Sequence, residues 1–464
     1  MPQLILNQTV TELPAEDVNL LGWLRDHGLT AAKPGCLGGD CGACQVLLGE
    51  IDNGTATPRY RSVNSCLLST GLVADCHLIT VEGLNGDRLT PVQQALVEAG
   101  AIQCGYCTPG LVVALTGALL GGDAPADALA GNLCRCTGYV GIRLACDRLA
   151  SDFDRRARTL DEAAEQGLLP EAVARAGTGL RPLPLEPPLP PGEHGPIRLG
   201  GETDHTVRHP HARARYGPWL RLHRLPALRG ISEHETGITI GSAVTVAELQ
   251  ASPLIADAWP DLPAFLDRFG SPAIRHLATV GGNLVNASPV ADLAVVLLAL
   301  RADLTIDGPA GRRDLPLAGF FHGYKHTDLG SDELLVSVRI PRNRARSSRL
   351  HAEKVSRRRH DDIASVCSTM VVTGGGRDGF GEVALSAGGV SPVPALLRGA
   401  ASVLAGRPLT DAVVREALDR LVAEIAPIGD VRGSAGYKAA LLRHLVLAHL
   451  AALQPGFDFW GYLR

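Results

Sequence analysis

The chemistry in this sequence is concentrated in its thiols. Three share one glycine-rich loop, Cys36-Leu37-Gly38-Gly39-Asp40-Cys41-Gly42-Ala43-Cys44, and a fourth follows at Cys66. The spacing C-x4-C-x2-C with a distant fourth cysteine wraps three thiolates of one loop around a 2Fe–2S cluster and takes the last from a separate strand or turn. Glycines at 35, 38, 39 and 42 free the backbone for positive φ and bring N–H groups close to sulfur. A four-cysteine zinc site is the alternative reading, but zinc sites usually split their thiols into two short knuckles.

A second thiol set lies downstream, Cys104-Gly105-Tyr106-Cys107 and Cys134-Arg135-Cys136. Each pair stands directly before an apolar helical run, Leu111 to Leu120 and Ile142 to Leu149. Four thiolates around two irons form an anion, and helix N-termini offer it free N–H groups and a positive dipole end. Alone, the C-x2-C pair could equally be a redox dithiol or half a zinc site. Two thiols one residue apart, however, make a poor disulfide and an uncommon zinc knuckle. Cys76, Cys146 and Cys367 lack thiols at ligand spacing and read as small buried hydrophobes.

The elements that must position these groups follow from periodicity. An alternating run from Leu4 to Val10, a short helix over residues 20–25, and strand-like segments at 45–48, 60–63 and 77–81 form a small mixed sheet. A capped helix begins at Thr90-Pro91. Residues 156–195 lose periodicity and end in the proline-rich run from Arg181 to Gly192, which predicts an extended polyproline II spacer. Beyond it, strands and short helices alternate to about Ile340. Two glycine turns stand out there, Leu199-Gly200-Gly201-Glu202-Thr203-Asp204 and Thr279-Val280-Gly281-Gly282-Asn283. Turns of this kind can aim successive N–H groups, and the Thr203 and Thr279 hydroxyls, at a pyrophosphate, although a double glycine is more often an ordinary turn. The formal G-x-G-x-x-G from Gly374 to Gly379 lies between two strand-like runs, which predicts a hairpin and not a nucleotide fingerprint. The Arg-rich run from Arg342 to His360 reads as a solvated hairpin. Helices follow Pro394.

With 464 residues the chain is long enough for about three domains, and 44 Lys+Arg against 48 Asp+Glu leave no electrostatic case for nucleic acid or an anionic membrane. The sequence shows no basic-plus-apolar leader and no apolar run of membrane-spanning length, and eleven cysteines in such a chain point to metal-bound thiolates in a reducing compartment. A cytoplasmic location is expected.

These motifs together resemble the iron–sulfur and FAD subunit of bacterial xanthine dehydrogenases, within the molybdenum hydroxylase family. The resemblance rests on both thiol sets with their flanks (Gln103 to Gly110, Gly131 to Tyr139), on Val280-Gly281-Gly282-Asn283-Leu284 with Ala287-Ser288-Pro289 and Asp292, on Phe320-Phe321 with Gly323-Tyr324-Lys325, and on Ser356 to Ala364. It implies a multidomain α+β protein: a β-grasp ferredoxin domain (1–82), a helical second-cluster domain (83–155), the linker (156–195), a two-part FAD-binding domain (196–342) and a C-terminal α/β domain (343–464). It further implies 2Fe–2S clusters on Cys36, Cys41, Cys44 and Cys66 and on Cys104, Cys107, Cys134 and Cys136. An FAD site would be formed by Ile197, Arg198, Leu199, Gly200, Gly201, Glu202, Thr203 and Asp204, by Thr279, Val280, Gly281, Gly282 and Asn283, and by Phe269, Asp292, Leu335 and Lys354. Gln103 would face the molybdopterin of a large partner subunit in a dimer of heterodimers.

The resemblance thus implies a relay from that partner through both clusters to FAD and NAD, with substrate chemistry on the other polypeptide. Sister enzymes acting on aldehydes, N-heterocycles or carbon monoxide are the nearest alternative, and a zinc-stabilised scaffold without redox activity is one of another class. Three departures from the family pattern are Leu37-Gly38 in the first loop, Val140-Gly141 after Tyr139, and Glu202 in the first flavin turn. A carboxylate beside a pyrophosphate is unfavourable unless it points away.

Overall fold

The computed structural model describes residues 2–51, 57–153, 157–184, 197–208, 219–375, 379–458 and 460–462. It is a mixed α+β structure that divides into two compact units. The first comprises Met1–Pro187, Pro196–Arg224 and Ser271–Leu277, and the second Pro188–Gly195, Leu225–Gly270 and Ala278–Arg464.

In the first unit, β1 (Gln3–Leu6), β2 (Thr9–Glu12), β3 (Gln45–Glu50), β4 (Arg59–Asn64) and β5 (His77–Ile79) form one sheet in the order β2-β1-β5-β3-β4. Only β1 and β5 run parallel. The single strand expected over residues 4–10 is instead a hairpin, because Asn7 takes φ of 55° and turns the chain; Asn tolerates this left-handed region better than most residues. Helix α1 (Leu20–Asp26), capped by the Asn19 side chain, buries Leu20, Trp23 and Leu24 against Leu4, Val46, Val63 and Leu78 of the sheet.

A helical layer follows: α2 (Pro91–Glu98), opened by a reciprocal Thr90–Gln93 capping box, α3 (Thr108–Gly121) and α4 (Val140–Asp152). Part of the spacer expected over residues 156–195 is helical instead. Leu160–Glu165 and Glu171–Gly177 are helices whose Leu160, Ala163, Val173 and Ala174, with the intervening Leu168 and Leu169, join the core of this layer. Apolar residues at helical spacing outweigh the local lack of regularity. Residues 185–196, which hold most of the proline run, lie outside the described residues.

Besides a two-stranded ribbon, Phe321–Gly323 with His326–Thr327, the second unit carries two larger sheets. One is fully antiparallel and contains Gly237–Gly241, Asp303–Gly308 and Leu334–Pro341, with Val280–Val285 and Asp292–Ala299 among its helices. The other pairs Ser348–Val355, Val366–Thr373 and Glu382–Gly388 and is covered by Arg398–Leu404, Asp411–Ala423 and Ala435–Leu453. Antiparallel pairing on either side of Gly374 and Gly375 accords with the hairpin reading of that glycine run, of which residues 376–378 lie outside the described set. The Arg-rich run is not simply a solvated hairpin. It opens with a helical turn, Arg342–Ser347, that buries Arg344 before the strand begins.

Candidate functional site

The first thiol loop runs from the end of α1 into β3, and Cys66 sits in a 3-10 turn directly after β4. Cys36 is exposed, Cys41 half-buried, and Cys44 and Cys66 buried. The four meet as two hydrogen-bonded pairs, Cys36 with Cys41 and Cys44 with Cys66. Within each pair one thiol shares its partner's proton. That bond lowers Cys36 to about 5 and raises Cys41, and it lowers Cys44 while raising Cys66. In each pair the bond thus favours the thiolate on one sulfur and disfavours it on the other, whose proton a bound cation would replace.

Positive φ falls on Leu37, Gly39 and Gly42, and not on Gly35 or Gly38 as the glycine pattern suggests. Gly35 is needed for space: a Cβ there would lie 2.7 Å from the Cys41 sulfur. The Gly38 amide donates to Cys36 Sγ at 3.4 Å.

The second set is arranged in the same way. Cys104 pairs with Cys136, and Cys107 with Cys134. Cys107 is the N-cap residue of the fourteen-residue α3, and Cys136 lies one turn before α4, so both helix starts are where the sequence places them. Burial raises Cys107 to about 12; burial opposes ionisation of Cys134 too, but the Thr137 hydroxyl 3.1 Å from its sulfur leaves it lowered. Among the described residues no group of three or more His, Cys, Asp or Glu side chains is gathered for a single metal ion. Thiols held two by two suit a pair of irons, each taking two thiolates, better than one zinc taking four.

The two sets are joined through the backbone. Leu133 N–H, beside Cys134, donates to the Cys41 carbonyl at 3.0 Å. The Asn132 amide reaches the Gly42 carbonyl at 3.5 Å, and a Cβ on Gly110 of α3 would come within 2.1 Å of that same oxygen.

Of the flavin candidates, the turn at 279–283 differs from expectation. It opens the helix Val280–Val285, and its amides are already used: Val280 N–H on Val244 O, Gly281 on Ser242 O, Gly282 on Thr279 Oγ1 and Asn283 on Thr279 O. Thr279 is an N-cap, so these N–H groups do not converge on an external anion. What remains for a ligand is side-chain chemistry. The Asn283 and Ser242 side-chain oxygens are buried without a hydrogen-bond partner among the described residues, which fits a polar group arriving from outside. Ser242 was not foreseen; it is found only by its contact with Gly281, where a Cβ would meet it at 2.7 Å.

In the same unit Asp292 and Lys354 form a buried ion pair at 2.6 Å, and the Lys354 ammonium also donates to the Arg268 carbonyl at 3.0 Å. Phe269 is half-buried nearby in sequence, and Leu335 is a buried strand residue opposite Ile306.

The first turn, by contact, belongs to the other unit. Its Glu202 is buried with φ of 58° and accepts from Ser69 N–H at 3.2 Å and Ser69 Oγ at 3.1 Å. The carboxylate is thus engaged by the turn that follows Cys66, and burial, reinforced by Asp17, raises it to about 7. Asp204 pairs with Arg208 at the surface, and Ile197–Leu199 is a strand parallel to Trp219–Arg221. Ser69 carries no sequence signal, because its partner lies 133 residues away.

Paired thiols on two elements and a chain of flavin-type domains define an iron–sulfur flavoprotein. Residues 80–147 match a 2Fe-2S binding domain, 195–343 the FAD binding domain in molybdopterin dehydrogenase, and 351–453 the CO dehydrogenase flavoprotein C-terminal domain. Together these matches give the chain the iron–sulfur and FAD domains of the molybdenum hydroxylase family. Relatives include xanthine dehydrogenase of Emericella nidulans, 29% identical over 89% of this chain and 35% of the relative, and aldehyde oxidase 1 of Bos taurus, 29% identical over 89% and 36%. The chain therefore spans about a third of the length of these curated relatives. Among solved structures, carbon monoxide dehydrogenase from Hydrogenophaga pseudoflava aligns with TM-score 0.50 and 27% identity over 54% of this chain and 86% of the matched one. Among the described residues no helix is long and apolar enough to cross a membrane.

Proposed function

We propose that this chain is the electron-transfer subunit of a xanthine dehydrogenase, serving a separate molybdopterin subunit that oxidises hypoxanthine and xanthine. When bound, 2Fe–2S clusters carry single electrons and FAD collects them in pairs for a soluble acceptor, which we take to be NAD. Cys104, Cys107, Cys134 and Cys136 would hold the entry cluster, and Cys36, Cys41, Cys44 and Cys66 the inner one. The observation that carries this reading is the Leu133 N–H bond to the Cys41 carbonyl, a single hydrogen bond between segments that bear ligands of both sets.

Exposure supports the order. In the second set Cys104 and Cys136 are exposed and no thiol is buried, whereas in the first set Cys44 and Cys66 are buried and only Cys36 is exposed. Tyr106, Leu133, Val140 and Leu144, on the same segments as the outer thiols, are exposed apolar side chains, which suits a face covered by a partner. In the flavin half, Asn283, Ser242 and the Asp292–Lys354 pair are the side chains we assign to the cofactor's polar part.

The test is direct. The purified complex should hold about four irons and one FAD per copy of this chain, and on reduction should give two distinguishable paramagnetic iron–sulfur signals. One signal or none would overturn the relay, and a colourless zinc protein unaffected by dithionite would replace it with a scaffold. A second reading has its own support, since the aligned solved structures include ones named carbon monoxide dehydrogenases. Assaying the complex with xanthine, an aldehyde, an N-heterocycle and carbon monoxide, with NAD as acceptor, separates the two.

A further inference from the structure

In the C-terminal half of the second unit a cleft of about 300 Å³ opens between the strand that begins at Glu382 and the helix Arg398–Leu404. This is the lower end of the size range for small-molecule sites. Its walls are apolar at Leu396 and Ala401 and polar at Arg301, Glu382, Arg398 and Ser402. The charge arrangement is unusual. Arg344 is 2% exposed, and its only ionic partner among the described residues is Glu382, on the cleft wall. Its second guanidinium nitrogen, Nη1, is buried and has no hydrogen-bond partner among the described residues.

Arg301 adds a like charge to this desolvated cation. Its backbone is in the left-handed region, with φ of 54°, just past the end of the helix Asp292–Ala299. Burial, and then the charge of Arg301, hold the Arg344 guanidinium below its ordinary range. Arg301 and Arg398 have no acidic partner among the described residues. The cleft lining therefore holds two guanidinium groups, Arg301 and Arg398, and one carboxylate, Glu382, which is already bonded to Arg344. Guanidinium groups without an acidic partner on a cleft wall offer forked donors that match carboxylate and phosphate oxygens in geometry.

We propose that this cleft is a binding site for a small organic anion, whose carboxylate or phosphate group meets Arg301 and Arg398 and whose carbon skeleton lies on Leu396 and Ala401. Ser402 offers a hydroxyl to the same group. The site is independent of the iron–sulfur and flavin assignments, since none of its residues belongs to them.

The probe is phenyl phosphate, titrated calorimetrically into the complete complex with iron and flavin bound, at fixed ionic strength. Inorganic phosphate and phenol serve as the bare anion and the bare apolar group. Arg301→Gln and Arg398→Gln are the variants; both side chains are exposed, so folding and cofactor content should be unchanged. The expected result is one site per copy of this chain, weakened about tenfold or more in each variant, with inorganic phosphate weaker and phenol silent. Four outcomes would overturn the proposal: no binding of either phenyl phosphate or benzoate at millimolar concentration, equal affinity in wild type and both variants, equal binding of phenol, or displacement of flavin by the probe. Tight binding of benzoate in place of phenyl phosphate, lost in the same variants, would assign the anion as a carboxylate.

Discussion

Glu202 shows what one residue can do against its family pattern. Its carboxylate is removed from water and held by two Ser69 donors, and burial together with Asp17 raises it to about 7 from an ordinary 4.5. A carboxyl whose folded pKa lies above its unfolded one takes up protons on folding, so its contribution is fully present below about pH 4.5 and is lost as pH rises through 7. Glu202→Gln keeps an acceptor for Ser69 N–H and removes the charge. Chemical denaturation should then find the variant close to wild type at about pH 5 but more stable, by on the order of 2 kcal/mol, at about pH 8. A gain independent of pH would assign the effect to packing. The Asp292–Lys354 pair carries the opposite lesson. With both partners buried, Lys354→Met leaves an uncompensated carboxylate and should cost about 3–5 kcal/mol, whereas Asp292→Leu with Lys354→Met should recover most of it. If flavin content follows the single variant and stays low in the stable double variant, the pair serves the cofactor as well as the fold.

Elements explain both what could be read from the sequence and what could not. The helix starts at α3 and α4 and the strands β3, β4 and β5 are local patterns, and the structure realises them where the sequence puts them, whereas the run over residues 4–10 is turned into a hairpin at Asn7. The use of each glycine was not legible. Gly35 is spared a clash with Cys41, while non-glycine Leu37 takes the positive φ, because the loop's curvature is set by contacts from other elements. Nor could a double glycine reveal that Thr279 would cap its own helix and consume the amides of the turn. The helices at 160–165 and 171–177 were hidden in the same way, their apolar stripe meaningful only beside the core it joins.

The junction of the two thiol sets makes a prediction at this scale. Gly42 has φ of 68°, and a Cβ there would lie 2.3 Å from the Gly131 carbonyl. Gly138, with φ of 58°, has nothing within 4 Å. Gly138→Ala should cost only the left-handed penalty, about 1 kcal/mol. Gly42→Ala adds a backbone clash, and it should lose more stability and reduce iron bound per chain, read by melting temperature and iron assay. Equal losses would mean that the loops can separate without consequence.

At the scale of the molecule, the chain covers about a third of the length of its curated relatives, and the proposed relay requires electrons to reach it across a surface. Charge does not identify that surface, because 44 basic and 48 acidic residues nearly cancel. Exposed apolar side chains do. Val140 and Leu144 are 67% and 56% exposed, lie one turn apart on one face of α4, and stand four and eight residues beyond the open thiol Cys136. Leaving such groups in water is unfavourable by about 25 cal/mol per Å² of apolar area, and covering them recovers that energy while shielding the outer cluster from solvent. The double variant Val140→Asp with Leu144→Asp should therefore fold, retain iron and flavin, and accept electrons from dithionite, yet fail to co-purify with a molybdopterin-containing chain. It should also show no substrate-dependent flavin reduction. If the partner still co-purifies in full yield, the entry face lies elsewhere and the order assigned to the two thiol sets falls with it.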